Sequence, residues 1–203
     1  MTEIAIDATP VPLSLRFGSV LHLSDDELFE LCAKNPELRI ERTAEGNLIV
    51  MTPAGGASGH RNLEVAAALA LWARRDGTGV GFDSSTGFLL PNGAMRAPDA
   101  AWVLRSRLDQ LSAQVKEKFL PLCPDLAIEL RSPSDGLSDL QAKMEEYRAN
   151  GARLGWLLDP KERRVHVYRP GQPIEVLEDP ATVSGDPELP GFILELEPVW
   201  QPL

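Results

Sequence analysis

Asp99, Glu129 and Lys143 are the residues of this chain whose types and spacing could do chemistry. Asp99 closes the run Arg96-Ala97-Pro98-Asp99, Glu129 stands inside Leu126-Ala127-Ile128-Glu129-Leu130-Arg131, and Lys143 follows soon after. Carboxylates on two neighbouring strands can share a hard divalent cation, and a nearby ammonium can steer a water at a phosphate ester. Side chains alternate along a strand, so Asp99, Ala101 and Val103 share one face, as do Ala127, Glu129 and Arg131 on the later strand. The opposite faces, Ala100-Trp102-Leu104 and Leu126-Ile128-Leu130, are apolar. An ionised carboxylate in such a strand needs a cation, hydrogen bonds or solvent, because burying it alone is costly. A Mg²⁺ bridging Asp99, Glu129 and the backbone carbonyl of Leu130 would meet that need. So would a salt bridge to Arg96 or Arg131, or a solvent-filled cleft.

Lys143 belongs to a segment in which Leu140, Met144 and Tyr147 form an apolar helical stripe, and it falls inside that arc. A lysine facing a sheet needs an acid. Asp139, four residues earlier, is the local partner; Glu129 or a reacting water is the functional one. Tyr147, one turn on, could orient a phosphate, although a buried aromatic has the same spacing. His60 follows the glycine-rich run Gly55-Gly56-Ala57-Ser58-Gly59, where a helix N-terminus would suit an anion, and Glu64 could add a third carboxylate. The glycine run has no Gly-Lys-Ser/Thr sequel and is no P-loop. Ser132-Pro133-Ser134-Asp135-Gly136 lacks the spacing of a nucleophile elbow.

The elements that must position these residues can be placed by caps and periodicity. Ser24 before Asp25-Asp26-Glu27 predicts a capped helix ending at Asn35-Pro36. Arg39 to Thr43 and Asn47 to Met51, around Glu45-Gly46, predict a hairpin. His60 to Arg75 predicts a helix so widely apolar that it should lie in the core or at a subunit interface, which admits a homodimer. Strands are expected at 80–83, 86–90 and 98–104, with Pro98 as a first strand residue. A brief helix over 112–118 and a buried strand over 126–131 follow. Ser138 with Gln141 predicts a capping box opening a helix that runs to about Asn150 and stops at Gly151. Further strands are expected at 154–158, 164–169 and 192–196. Helix, strands, helix and two strands describe an α/β or α+β sheet flanked by helices.

Bulk properties narrow the partners. The formal charge of -10 argues against a polyphosphate ligand, but the charge is uneven. Residues 1–37 carry two basic and seven acidic side chains, and 170–203 carry none and seven, which leaves +2 for residues 38–169. The middle can meet a phosphate locally without a basic DNA-binding surface. Cys32 and Cys123 are too few and too isolated for a disulfide framework and should serve packing. The absence of a basic and apolar leader or a long apolar run predicts a soluble, cytoplasmic protein with no membrane contact. The length suits a flexible or extended segment over 1–20 and one domain over 21–200.

Four blocks in order resemble the Uma-two family, prokaryotic proteins with a restriction-endonuclease-like, PD-(D/E)XK fold. They are Arg96-Ala97-Pro98-Asp99-Ala100-Ala101-Trp102-Val103, Pro124-Asp125 through Ser134-Asp135, Lys143-Met144-Glu145-Glu146-Tyr147, and Gly155-Trp156-Leu157-Leu158-Asp159-Pro160. The resemblance covers about residues 20–200. It implies a mixed central β-sheet flanked by helices, to which the N-terminal helix and hairpin read above would add. It also implies Asp99 and Glu129 as ligands of Mg²⁺ or Mn²⁺, with Glu64 as an additional acid from the first core helix. Arg131 takes the strand position of the superfamily's lysine, and the lysine role falls to Lys143. The function expected from this reading is metal-dependent hydrolysis of phosphodiester bonds in DNA, with Asp99, Glu129 and Lys143 catalytic and Arg131, Tyr147 and His60 meeting substrate. The alternative is a degenerate nuclease fold that binds nucleic acid or a protein without cutting.

Overall fold

A computed structural model describes residues 13–17, 22–51 and 53–203. In chain order its strands are β1 (Leu13–Leu15), β2 (Arg39–Arg42), β3 (Leu48–Met51), β4 (Gly79–Asp83), β5 (Phe88–Leu89), β6 (Met95–Arg96) and β7 (Ala100–Leu104). After these come β8 (Leu126–Leu130), β9 (Leu154–Asp159), β10 (Arg164–Tyr168), β11 (Glu175–Glu178), β12 (Thr182–Ser184) and β13 (Ile193–Glu195). The helices are α1 (Asp25–Lys34), α2 (Gly56–Asp76), α3 (Arg105–Leu108), α4 (Ala113–Lys116), α5 (Leu137–Ala149) and α6 (Glu197–Trp200).

The larger sheet has the order β11-β10-β9-β8-β7-β4 and is antiparallel except for the β8–β9 pair. A parallel pair requires a crossover, and α5 supplies it, so the helix carrying Lys143 is tied at both ends to strands of the sheet. The smaller sheet runs β1-β3-β2-β6-β5, and β12 pairs with β13 separately. Arg96 ends a strand of the smaller sheet and Ala100 begins one of the larger, so Asp99 lies where the chain passes between them. The strand expected from Pro98 accordingly starts only at Ala100.

Alternation along the strands divides the core. Ala100, Trp102, Leu126, Ile128 and Trp156 pack with Val65, Leu69 and Trp72 of α2 and with Phe192 and Leu194. Ala101, Val103, Ala127 and Leu157 face the other way, onto Met144 and Tyr147 of α5. Leu28, Ile40, Leu48 and Met95 join α1 to the smaller sheet. Mixed strands between helical layers confirm the expected fold class.

Local chemistry sets most boundaries. Ser24 caps α1, as the sequence implies, by accepting from the Glu27 N–H, and Glu27 reciprocates at the Ser24 N–H to complete a capping box. Helix α2 opens at Gly56 with Gly55 as N-cap, so the glycine run forms its first turn and His60 lies past the N-terminus. Helix α5 has Gly136 as N-cap without a side-chain bond. The expected Ser138–Gln141 box is absent because Ser138 already lies within the helix. Gly151, at φ 107°, follows the helix end in a conformation that disfavours a Cβ.

Burial of α2 is one-sided, with Leu63 and Leu71 exposed. Cys32 and Cys123 are both free thiols, Cys123 buried among core side chains. No helix among the described residues is long and apolar enough to cross a membrane. The segment expected to be flexible or extended over 1–20 lies mostly outside the described residues; within them Leu13–Leu15 pair with β3.

Candidate active site

Asp99 is held by both carboxylate oxygens. Oδ2 accepts the backbone N–H of Leu130 at 2.8 Å, and Oδ1 accepts from the Asn62 side-chain amide at 3.1 Å. The first contact ties the sheet junction to the end of β8, and the second ties it to α2. Glu129 projects from β8 on the α5 side, opposite Ile128 and Leu130, and is 4% exposed. Its Oε1 accepts the Tyr147 hydroxyl at 2.9 Å and lies 2.8 Å from the Lys143 Nζ. Helical spacing makes this possible, because Lys143 and Tyr147 are four residues apart on the face of α5 that meets the sheet.

Lys143 has a second carboxylate partner. Its Nζ donates to Glu41 Oε1 at 2.8 Å, so the ammonium bridges β2 of the smaller sheet and β8 of the larger. Glu41 also accepts the Ala97 N–H at 3.0 Å and the Arg96 Nη1 at 3.2 Å. Arg96 Nε in turn donates to Glu146 at 2.5 Å. Burial pushes the Glu129 carboxyl up to about 7, against the lowering pull of Lys143, with Asp99 and Glu41 adding to the rise. Burial raises Asp99 as well, and the Leu130 N–H only partly compensates. Burial opposes ionisation of Glu41 too, but Lys143 and Arg96 outweigh it and hold this carboxyl below its ordinary value. Burial would lower Lys143, yet Glu129 and Glu41 hold its pKa above the ordinary value and keep it charged.

Asp99, Glu129 and Lys143 border a cavity of about 450 Å³, with Asn62, Arg39 and Arg61 on the same wall system. The wall of this cavity carries three acids, Asp99, Glu129 and Asp135, and three bases, Arg39, Arg61 and Lys143. The hard carboxylate oxygens of Asp99 and Glu129 suit a divalent cation of the Mg²⁺ type. Glu129 Oε2 accepts no hydrogen bond within the described residues. No group of three or more His, Cys, Asp or Glu side chains positioned to hold a metal occurs among the described residues; Asp99, Glu129 and the main chain at Leu130 are the oxygen groups at the cavity that could serve one.

The sequence model of the Uma2 family, described as "Putative restriction endonuclease", matches residues 25–197. The chain belongs to the Uma2 family. A solved structure from Anabaena variabilis ATCC 29413, described as a "putative nuclease belonging to DUF820", shares its fold with a TM-score of 0.70. That likeness covers 88% of this chain and 97% of the other at 20% identity, so it concerns the fold. No curated protein matches in sequence.

In this Uma2 protein the other sequence-predicted residues take different places. Tyr147 is fully buried and meets Glu129 instead of opening to a ligand. Arg131 donates to Asp159 at 2.7 Å and to the Asp135 carbonyl at 3.3 Å, and it does not border the cavity. This guanidinium, just beyond the strand end, pairs with the fully buried Asp159. His60 and Glu64 lie 4.0 Å apart on α2, both half-buried, and neither borders the cavity. Asn62, a different position on the same helix, is the residue that reaches Asp99. Asp139 makes no ion pair with Lys143, whose partners are Glu41 and Glu129. Glu41, Asn62 and Arg61 are site residues that sequence reasoning misses. The one signal for Glu41 is a charged residue beside Ile40 in a short strand, which alternation alone would assign to solvent.

Proposed function

We propose that this protein is a Mg²⁺- or Mn²⁺-dependent nuclease that hydrolyses phosphodiester bonds in DNA. The observation that carries the reading is the meeting of two carboxylates, Asp99 and Glu129, with the Lys143 ammonium at one cavity. Asp99, Glu129 and the Leu130 carbonyl would hold the cation, which when bound supplies polarisation of a phosphate oxygen and acidification of a water. Tyr147 holds Glu129 in place through its hydroxyl. Lys143 directs its ammonium at the attacking water and at the charge that builds on phosphorus-bound oxygens. We read Arg39 and Arg61, which line the cavity, as contacts for the flanking phosphates, where the sequence suggested Arg131, Tyr147 and His60.

The competing reading, a nuclease fold that binds without cleaving, is favoured by one observation: Lys143 is engaged by two carboxylates at 2.8 Å. Purified protein incubated with duplex and single-stranded DNA, with Mn²⁺ or Mg²⁺ and with chelator, decides between them. Cation-dependent cleavage that disappears in Asp99→Ala supports the nuclease. Cation binding without cleavage of any nucleic acid supports the degenerate fold. We also read residues 21–200 as one domain, and the exposed Leu63 and Leu71 on α2 support a homodimer that light scattering would detect.

A further inference from the structure

Glu41 is a buried acid from the smaller sheet with no part in the reaction outlined above, yet all its contacts are to segments that carry the site. At 2% exposure it accepts from Lys143, from the backbone of Ala97 two residues before Asp99, and from Arg96. Arg96 is itself fixed by Glu146, so the Glu41 carboxylate is pinned from several directions while Lys143 remains the group with a choice. That choice is between two carboxylates at the same 2.8 Å. Glu129 already accepts Tyr147 on the oxygen that faces Lys143. A divalent cation drawing on Glu129 and Asp99 would repel the ammonium and weaken its hold on Glu129. Lys143 stays charged between its acids and needs somewhere to go. Glu146 is taken by Arg96 and by the Asn92 amide, and Asp139 makes no contact with it.

We propose that Glu41 is a positioning residue that takes over the Lys143 ammonium when a divalent cation occupies Asp99 and Glu129, keeping Lys143 beside the reacting phosphate. The proposal rests on the metal-dependent reading of this site. Its distinguishing property is that Glu41 acts on the cation through Lys143. Removing Glu41 leaves the ammonium leaning on Glu129 alone, where it competes with the incoming metal.

The test is a cycle of Mn²⁺ affinities, measured by calorimetry on the full chain without nucleic acid, for wild type, Glu41→Gln, Lys143→Met and the double variant. Glu41→Gln is expected to weaken Mn²⁺ about tenfold and Lys143→Met to strengthen it. In the Lys143→Met background the same Glu41→Gln change should cost less than about threefold. Equal losses in both backgrounds would overturn the proposal, because Glu41 would then act on the cation or the fold directly. Should Glu41→Gln fail to fold by circular dichroism, Glu41→Asp enters the same cycle, since the shorter acid keeps the charge and gives up reach. Kinetics add a second readout: Glu41→Gln at saturating Mn²⁺ should lower kcat with KM little changed, and a rise in KM alone contradicts it. Absence of Mn²⁺ binding in the wild type refutes the metal site and this proposal together, whereas binding with equal losses refutes only the role of Glu41.

Discussion

Replacing Glu129 by Gln should stabilise the metal-free protein above neutral pH while abolishing its activity. The Glu129 carboxyl is raised from an ordinary 4.5 to about 7, with burial as the leading cause. A raised carboxyl means that the native state binds more protons than the unfolded chain between those two values. Stability is therefore lost as pH climbs through that window, and the full cost stands above about pH 7. At about 1.4 kcal/mol per pH unit, the rise corresponds to about 3 kcal/mol for this group, which is almost wholly shielded from solvent. Gln carries no such cost, and its amide oxygen can still accept from Tyr147 and Lys143. For a chain of this size, about 3 kcal/mol corresponds to an increase of roughly 6–12 °C in Tm. Thermal and urea denaturation in chelator at pH 5 and pH 8 would compare the two proteins. The variant should gain on the wild type between these pH values, and Mg²⁺ should then raise the wild-type Tm at pH 8 but leave the variant unmoved. A stability difference that stays constant across pH refutes the assignment of an energetically costly carboxylate to this position.

Other substitutions separate chemistry from architecture. Asp99→Ala should eliminate cleavage and weaken Mn²⁺ binding, and circular dichroism should show the fold retained. Tyr147→Phe removes a hydroxyl donated to Glu129 and should cost about 1.5–3 kcal/mol in urea denaturation, with activity reduced but not lost. Arg131→Ala strips the partner from Asp159, which is fully buried, and should destabilise by about 3–5 kcal/mol. At a temperature where that variant is folded its kcat/KM should be close to wild type, and a selective loss of kcat would return Arg131 to the reaction. Gly79→Ala would drive a Cβ into the Trp102 ring and the Val103 carbonyl at 2.5 Å and should cost about 1–3 kcal/mol. Gly155→Ala should cost less, because its nearest neighbour is the mobile end of Met144.

The order of elements was legible in the sequence wherever local chemistry decides structure. Ser24 caps α1 as the sequence implies, and alternation along β8 puts Glu129 on the face that meets α5, whereas Asp99 lies before β7 begins. Lys143 turns inward for the reason its place among Leu140, Met144 and Tyr147 suggests. Local reading failed where tertiary contacts override it. Ser138 and Gln141 have the spacing of a capping box, but the helix begins at Leu137 and the box has no end to cap. His60 and Glu64 share a helical face, and only the packing of Val65, Leu69 and Trp72 reveals that this face points away from the cavity.

Glu41 marks the deepest limit of such reading and explains it physically. Periodicity reports which face of one sheet is apolar, but this acid belongs to the smaller sheet and holds Lys143 of α5, the helix packed on the larger one. Its burial becomes sensible only when Arg96 and Ala97 are seen to carry the chain from the smaller sheet to the larger. Lys143 then needs both sheets at once, with one acid from each at equal distance. A nuclease built on the larger sheet alone would have Asp99, Glu129 and Lys143, but no second anchor for the ammonium once a cation claims the first. The N-terminal hairpin is on this argument part of the reaction centre, and a chain shortened past β2 should lose activity even if the six-stranded sheet still folds.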